Sequence, residues 1–285
     1  VKALTATAST VNKTYDGTTT ATTTLTFTGL VGSETLGQTV GSTFDNKNVG
    51  TGKSVTVNSI TLADGTGLAA NYSISPGQTT TADVTAKALS VSGITASNKT
   101  YDATTTATLN TGSVTYTGLV SGDVFNGTYT GAFSDKNVGT GKTVTITPSY
   151  TGADVSNYSV TDHATVTANI TAKALTVSGI TALDKGYDGN ATATLDTSLI
   201  NYGGLVSGDT LTGTYSGVFD NANVGTGKTV TITSSYGGTD VNNYTITDQA
   251  STTADVTAKA LTATASAANK TYDASDTATT TLTLS

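Results

Sequence analysis

Residues 137–147 read Asn-Val-Gly-Thr-Gly-Lys-Thr-Val-Thr-Ile-Thr, and this stretch decides the fold class. Val144 and Ile146 alternate with threonines, so the apolar side chains point to one face of an extended strand and the hydroxyls to the other. The Val-Gly-Thr-Gly segment before them is typical of a tight turn. The stretch therefore predicts a hairpin that leads into a half-buried β-strand.

The same stretch recurs along the chain together with two other motifs. Asn-Val-Gly-Thr-Gly-Lys occurs three times, and Asn-Tyr and Ala-Lys-Ala-Leu recur in the same order. The spacing is about 86 residues, too long for solenoid coils or propeller blades. It predicts three repeats followed by the start of a fourth: residues 1–87, 88–173, 174–259 and 260–285.

Composition points to an all-β protein built from these repeats. Thr makes up about a quarter of the 285 residues and there are 31 Gly, which favours strands and turns. One period is close to the size of an immunoglobulin-like β-sandwich. Residues 82–92 alternate without a Gly- or Pro-rich linker. We therefore predict immunoglobulin-like β-sandwich repeats stacked end to end into a rod.

Charge and residue content exclude several classes of function. The net charge of -7 and the absence of Arg argue against nucleic-acid binding, which needs clustered cations. No apolar run is long enough to insert this segment into a membrane. The chain has no Cys for a disulfide or a thiol nucleophile, and His163 is its only His. We therefore predict that the chain is not an enzyme.

A Tyr-Asp pair recurs once in every repeat. We interpret it as a structural turn in which the Asp caps the backbone while the Tyr packs over the end of the module. Ala103 and Ala274 stand where Gly17 and Gly189 do, which indicates that a positive φ is not required there. The residues of this signature are Tyr15, Asp16, Tyr101, Asp102, Tyr187, Asp188, Tyr272 and Asp273.

Calcium is the one cofactor that the sequence makes worth considering. Asp16, Asp45 and Asp64 of the first repeat could converge on an ion, but calcium sites usually draw on closely spaced acidic residues. These Asp residues are scattered singly along the sequence. We therefore expect no cofactor, with calcium as the alternative.

Asn12–Gly17 (Asn-Lys-Thr-Tyr-Asp-Gly), Asn-Val-Gly-Thr-Gly-Lys and Ala-Lys-Ala-Leu together resemble the YDG-type repeats of large bacterial surface and exported proteins. Such repeats occur in adhesins and filamentous haemagglutinin-like exoproteins. The resemblance covers nearly the whole chain and implies an extracellular location at the bacterial cell surface. It carries over no catalytic or ligand-binding residue.

The favoured hypothesis for function is a structural stalk or fibre of an adhesin or biofilm matrix protein. Its partners would be neighbouring repeats or like chains, while a tip domain outside this segment would bind glycans or a host surface. One alternative is a self-assembling filament subunit joined by strand complementation. Another is a multivalent glycan-binding module, which predicts exposed aromatic platforms at Tyr116, Tyr150, Tyr202 and Tyr236.

Two further expectations concern the core and the tail. Tyr129, Phe133, Val144 and Ile146 should be buried, as should the equivalent residues Tyr215, Phe219, Val230 and Ile232. Residues 262–285 match the opening of the first repeat and cannot bury a face alone. They are therefore expected to complete the third repeat or to receive a strand from another chain.

Overall fold

A computed structural model describes residues 1–285 as an all-β chain in which one arrangement occurs three times. Three single-turn 3-10 helices, Ala69–Asn71, Val155–Asn157 and Val241–Asn243, are its only helical segments. The first repeat contains β1 (Lys2–Ala3), β2 (Thr5–Thr10), β3 (Lys13–Thr14), β4 (Thr20–Ala21), β5 (Thr23–Thr28), β6 (Leu36–Phe44), β7 (Gly50–Asp64), β8 (Tyr72–Ser73) and β9 (Thr79–Thr85).

The second and third repeats have one strand more than the first. The second contains β10 (Lys87–Ser92), β11 (Thr95–Ala96), β12 (Lys99–Thr100), β13 (Thr106–Ala107), β14 (Leu109–Asn110), β15 (Thr115–Thr117), β16 (Asn126–Phe133), β17 (Gly139–Thr151), β18 (Tyr158–Thr161) and β19 (Thr165–Thr171). The third contains β20 (Lys173–Ser178), β21 (Thr181–Ala182), β22 (Lys185–Gly186), β23 (Thr192–Ala193), β24 (Leu195–Asp196), β25 (Asn201–Gly203), β26 (Thr212–Phe219), β27 (Gly225–Gly237), β28 (Tyr244–Thr247) and β29 (Ser251–Thr257). The tail contains β30 (Ala263–Ala267) and β31 (Thr280–Leu284).

Each repeat has one five-stranded sheet and a smaller group of strands. The five-stranded orders are β3-β9-β7-β6-β4, β12-β19-β17-β16-β13 and β22-β29-β27-β26-β23. The smaller group is β1-β8 with β2-β5 in the first repeat, β15-β10-β18 with β11-β14 in the second, and β25-β20-β28 with β21-β24 in the third. The long hairpin of each large sheet is antiparallel, whereas β3 joins β9 in parallel with Lys13 opposite Val84. The turn after β3 is thereby fixed at the edge of the sheet.

Consecutive repeats are joined by a single residue, as the absence of a linker predicts. Only Ala86 separates β9 from β10, and only Ala172 separates β19 from β20. β9 lies inside the five-stranded sheet of one repeat, and β10 is the central strand of the small sheet in the next. The chain therefore passes directly from one sheet to another. The boundaries near 87, 173 and 259 stay a prediction.

The core follows the alternation along the long hairpin. Phe133, Val144 and Ile146 are buried, and so are Phe219, Val230 and Ile232 in the third repeat, which confirms those expectations. Tyr129 and Tyr215 are only half-buried. Each has a ring partner, and its hydroxyl bonds another tyrosine near the sheet margin, so full burial was the wrong expectation for these two.

The chain divides into two compact units that cut across the repeats. The first unit comprises residues 1–98, 105–135 and 141–169, and the second comprises 99–104, 136–140 and 170–285. In the first unit one apolar cluster joins residues of both repeats it contains: Tyr15, Ala21, Phe44, Val55, Ala82, Val84, Leu89, Val91, Ile94, Phe125, Ile146 and Tyr158. In the second unit a cluster is formed by Ala193, Phe219, Val230, Ala254 and Val256.

The tail does not complete the third repeat, contrary to the first of the two expectations for it. Its strands β30 and β31 form a two-stranded sheet and pair only with each other. Thr262 and Ser285 close the hairpin by two backbone hydrogen bonds of 3.0 Å each. Every residue from 258 to 285 is exposed. The two strands pair along their facing edges, and their outer edges have no partner strand within the chain.

Candidate docking faces at the ends of the repeats

The Tyr-Asp turn is held by its Asp and by the Lys three residues earlier. Asp16 Oδ1 accepts the backbone N–H of Thr18 at 2.9 Å and a hydrogen bond from Lys13 Nζ at 2.8 Å. Lys13 Nζ also donates to the Thr18 carbonyl oxygen at 2.7 Å. The Asp of the other copies accepts a backbone N–H in the same way and pairs with its own Lys: Lys99–Asp102, Lys185–Asp188 and Lys270–Asp273.

The turn also requires a left-handed backbone at its third position. Gly17 and Gly189 have φ of 79° and 84°, and Ala103 and Ala274 both have φ of 62°. The expectation that Ala relaxes this requirement is therefore wrong. Alanine adopts the strained conformation because the hydrogen bonds around the Asp fix the turn whichever residue follows it.

The tyrosines of the signature lie in two different environments. Tyr15 and Tyr101 are 1% exposed, whereas Tyr187 and Tyr272 are 41% and 91% exposed. Tyr15 packs edge-to-face against Tyr158 of the second repeat, with ring centroids 5.6 Å apart. Two buried aromatic rings in this geometry contribute beyond the area they bury. The Tyr-Asp turn of repeat 1 thus lies in an interface with repeat 2.

A lysine from the hairpin tip of repeat 1 enters the same interface. Lys47 Nζ lies 2.9 Å from Asp123 Oδ1 and 2.8 Å from Asp154 Oδ1. The other oxygen of Asp123 accepts the hydroxyls of Tyr15 at 2.8 Å and Tyr158 at 2.6 Å. Both carboxylates are nearly inaccessible to solvent. The ammonium and the hydroxyls therefore satisfy charges that would otherwise be costly to bury.

A buried asparagine of repeat 2 forms hydrogen bonds with the hairpin tip of repeat 1. Asn157 is 0% exposed. Its Oδ1 accepts the N–H of Val49 at 3.0 Å, and its Nδ2 donates to Asn48 Oδ1 at 3.2 Å. An amide at this depth that lost these partners would be destabilising. These directional hydrogen bonds therefore hold the hairpin tip of repeat 1 in one position on repeat 2.

Charge pairing shifts the pKa values of the groups at the interface. Burial acts to raise the pKa of Asp123, but hydrogen bonds from Tyr158, Lys47 and Tyr15 outweigh it and hold that pKa below its usual value. Lys47 and the Val124 N–H lower the pKa of Asp154. The two carboxylates in turn raise the pKa of Lys47 well above its ordinary range. Burial and then Asp123 raise the pKa of Tyr158 to about 12, so its hydroxyl remains a donor at neutral pH.

The second unit contains an interface of the same design. Lys136 Nζ lies 3.4 Å from Asp209 Oδ1 and 3.1 Å from Asp240 Oδ1. Tyr101 packs edge-to-face on Tyr244 at 5.6 Å. The corresponding asparagine contacts are Val138 N–H to Asn243 Oδ1 at 2.9 Å and Asn243 Nδ2 to Asn137 Oδ1 at 3.2 Å.

We call the two sides of these interfaces the outgoing and the incoming face. The outgoing face consists of the signature Tyr and the hairpin-tip Lys-Asn-Val: Tyr15, Lys47, Asn48 and Val49 in repeat 1, and Tyr101, Lys136, Asn137 and Val138 in repeat 2. The incoming face consists of two Asp, an Asn and a Tyr: Asp123, Asp154, Asn157 and Tyr158 in repeat 2, and Asp209, Asp240, Asn243 and Tyr244 in repeat 3.

The tyrosines predicted as glycan platforms lie within hydrogen-bonded groups. Tyr116, Tyr150, Tyr202 and Tyr236 are all half-buried. Their hydroxyls contact Tyr129 at 3.1 Å, Asp162 at 2.5 Å, Tyr215 at 3.0 Å and Asp248, respectively. These four rings are therefore partly covered, and their hydroxyls are engaged within the protein.

The remaining candidate residues lie apart from one another. Asp45 pairs with Lys53 at 2.9 Å, and Asp64 accepts the Ala69 N–H at 2.7 Å, so neither joins Asp16. Nowhere in the chain do three or more His, Asp or Glu side chains form a group able to hold a metal ion. His163 Nδ1 is buried without a hydrogen-bond partner. No helix of the structure has the length and apolar character needed to cross a membrane.

These features define a tandem all-β repeat protein in which the same contacts recur where one repeat meets the next. The YDG domain family model matches residues 1–82, 85–168 and 171–254, so the chain belongs to the YDG domain family. No curated protein matches the chain. No solved structure matches it either.

Proposed function

We propose that this chain is a structural segment of an extracellular bacterial adhesin or matrix fibre, in which immunoglobulin-like β-sandwich repeats stack end to end into a rod. The observation that carries the proposal is the interface between consecutive repeats. A one-residue connection, a buried Tyr pair, a Lys between two Asp and a buried Asn hold one repeat against the next.

The chemistry of these contacts suits a load-bearing connection better than a binding site. The neighbouring repeat covers the outgoing face of repeat 1, and the polar groups of the incoming face form hydrogen bonds with it. An interface that combines apolar packing with directional hydrogen bonds resists both bending and twisting. Each added repeat would then extend a stiff stalk.

Small-angle X-ray scattering of the full chain tests the stiffness. We expect the wild-type curve to fit an elongated rigid particle, and the double variant Tyr15→Ala/Tyr101→Ala to fit a flexible string of domains. Tyr272→Ala is the matched control, because this tyrosine belongs to the same motif but is 91% exposed. Flexible scattering from the wild type would contradict the proposal, as would identical curves for wild type and double variant.

Location needs a separate experiment. Immunogold labelling of intact, unpermeabilised cells that produce the protein should decorate the outer surface or fibres that project from it. Labelling only after permeabilisation would contradict an extracellular role. The glycan-binding alternative has less support, because the four tyrosines that motivate it are half-buried and hydrogen-bonded.

A further inference from the structure

The outgoing face of repeat 3 departs from the other two at one position. It keeps the tyrosine and the Asn-Val tip as Tyr187, Asn223 and Val224, but Ala222 stands where Lys47 and Lys136 do. Tyr187 and Val224 are 41% and 54% exposed. Repeat 3 thus presents the apolar part of an outgoing face without its charge.

The incoming face of repeat 1 departs at the matching position. It keeps Asn71 and Tyr72, and Glu34 replaces the first Asp of the pair, but Leu68 stands where Asp154 and Asp240 do. Tyr72 donates to Glu34, and its oxygen accepts the Val31 N–H at 3.1 Å. Tyr158 is bonded in the same way, to Asp123 and to the Val120 N–H. The local scaffold is therefore present while one acid is missing.

These two departures compensate each other. In the two internal interfaces a lysine is matched by two carboxylates. Between the outgoing face of repeat 3 and the incoming face of repeat 1, an alanine would meet a leucine, and Glu34 would be the single carboxylate. Ala222 placed on an Asp pair would leave two close carboxylates without a cation, and a lysine placed on Leu68 would lose its water against an apolar side chain. The loss of the lysine on one face therefore suits the loss of one acid on the other.

We propose that the outgoing face of repeat 3 binds the incoming face of repeat 1 on a second copy of this chain, head to tail. The inference rests on the proposed stacking role, because it extends the internal interface to a second molecule. Such a contact is heterologous, so its repetition links copies head to tail into a filament or a ring. Glu34 would then accept the hydroxyls of Tyr72 and Tyr187, as Asp123 accepts those of Tyr158 and Tyr15. Without a lysine, this contact is weaker than an internal one and depends on concentration.

Sedimentation velocity across a wide range of concentrations tests the proposal. The full wild-type chain should shift from monomer to a series of larger species as concentration rises. Leu68→Asp should weaken the association at least tenfold, because it adds a carboxylate without a cation. Tyr187→Ala should do the same from the other face. The double variant Leu68→Asp/Ala222→Lys should restore association to at least the wild-type level, because it recreates the internal pairing.

The control variant is Thr56→Asp, which adds the same charge on the exposed side of β7 and should leave association unchanged. A wild type that is monomeric at every concentration would overturn the proposal. So would association that Leu68→Asp and Tyr187→Ala both leave intact, or a double variant that associates no better than Leu68→Asp alone. None of these substitutions touches an internal interface, so rigid scattering from a monomeric chain would leave the stacking proposal standing while this one fails.

Discussion

The interfaces of the two units use the same residue types but do not make the same contacts. At the first, Lys47 lies 2.9 and 2.8 Å from its two carboxylates, and the Tyr15 hydroxyl donates to Asp123. At the second, Lys136 lies 3.4 and 3.1 Å from its carboxylates. The buried Tyr101 hydroxyl makes no hydrogen bond there, although burial and the nearby Asp209 raise its pKa. The ring separation is 5.6 Å in both.

This comparison separates the contacts that both interfaces share from those that differ. The Tyr pair and the asparagine hydrogen bonds are shared. The lysine distances and the hydrogen bond of the signature Tyr hydroxyl differ, and a buried hydroxyl left unpaired costs about 1–3 kcal/mol. We therefore expect the second interface to open before the first when the chain is destabilised.

The largest effect should come from removing the Tyr pair, which both interfaces share. Tyr15→Ala deletes a ring that is 1% exposed, and truncating a large buried aromatic costs about 3–5 kcal/mol. Because a small domain has only about 5–15 kcal/mol in total, the first unit should unfold in a separate, earlier transition. Calorimetry or urea unfolding checks this. Tyr272→Ala, the same change at an exposed copy of the motif, should leave the transition where it was.

The next prediction separates the two interfaces directly. Tyr15→Phe removes a hydrogen bond to the Asp123 carboxylate, and bonds to charged groups contribute about 1.5–3 kcal/mol. Tyr101→Phe removes a hydroxyl that makes no hydrogen bond and should therefore cost less than Tyr15→Phe. Paired urea-unfolding curves measure both. Equal losses in the two variants would mean that the interfaces do not differ as described.

The fold follows from the sequence because its signals are local and repeated. Alternation on β17 identifies Val144 and Ile146 as core, and the missing linker at Ala86 identifies a direct connection between strands. Both depend on neighbouring residues only. Tyr129 departs from the expected full burial because a tyrosine can bury its ring while its polar end stays at the edge of the core.

The docking faces could not be found this way. Lys47 and Asp123 are 76 residues apart and belong to different repeats, and a lysine near a turn reads as an ordinary solvated residue. The positive φ of Ala103 was missed for a related reason. Residue type gives only a preference for a backbone conformation, and the hydrogen bonds around the residue determine which conformation it adopts. The sequence holds one trace of the docking faces: Ala222 replaces the lysine in repeat 3, and Leu68 replaces an Asp in repeat 1. This pair of replacements can be interpreted only once the contacts between repeats are known.

A smaller effect concerns the turn that presents the tyrosine. A Cβ added to Gly17 would lie 2.8 Å from Val120 Cγ1 of repeat 2, whereas one added to Gly189 would meet nothing within 4 Å. Both positions have positive φ, so each alanine costs about 1–2 kcal/mol in backbone strain. Gly17→Ala should therefore destabilise more than Gly189→Ala. Equal shifts in urea unfolding would place Val120 away from the turn.

The last prediction concerns pH. Asp123 and Asp154 have pKa values held below the usual carboxyl value, so ionised carboxylates stabilise the folded first unit above the unfolded-state pKa of about 4. That contribution is lost as pH falls through their native values. Lys47 has a raised pKa, so its contribution is complete below about pH 10 and is lost only as pH rises beyond that. The stability of the first unit should thus be flat from about pH 5 to 10 and fall on both sides.

Other carboxylates with lowered pKa values, such as Asp16 and Asp45, also weaken the fold in acid, so the interface must be isolated by a variant. Lys47→Met removes the cation that does most to lower the pKa of Asp154 and leaves two carboxylates facing each other. Protonating one of them then relieves repulsion, so this variant should lose less stability between pH 7 and pH 3 than the wild type does. Lys270→Met removes the cation of an exposed pair in the tail and should follow the wild-type curve. Parallel curves for Lys47→Met and wild type would mean that the ion pair, unlike the tyrosines, contributes nothing to holding the repeats together.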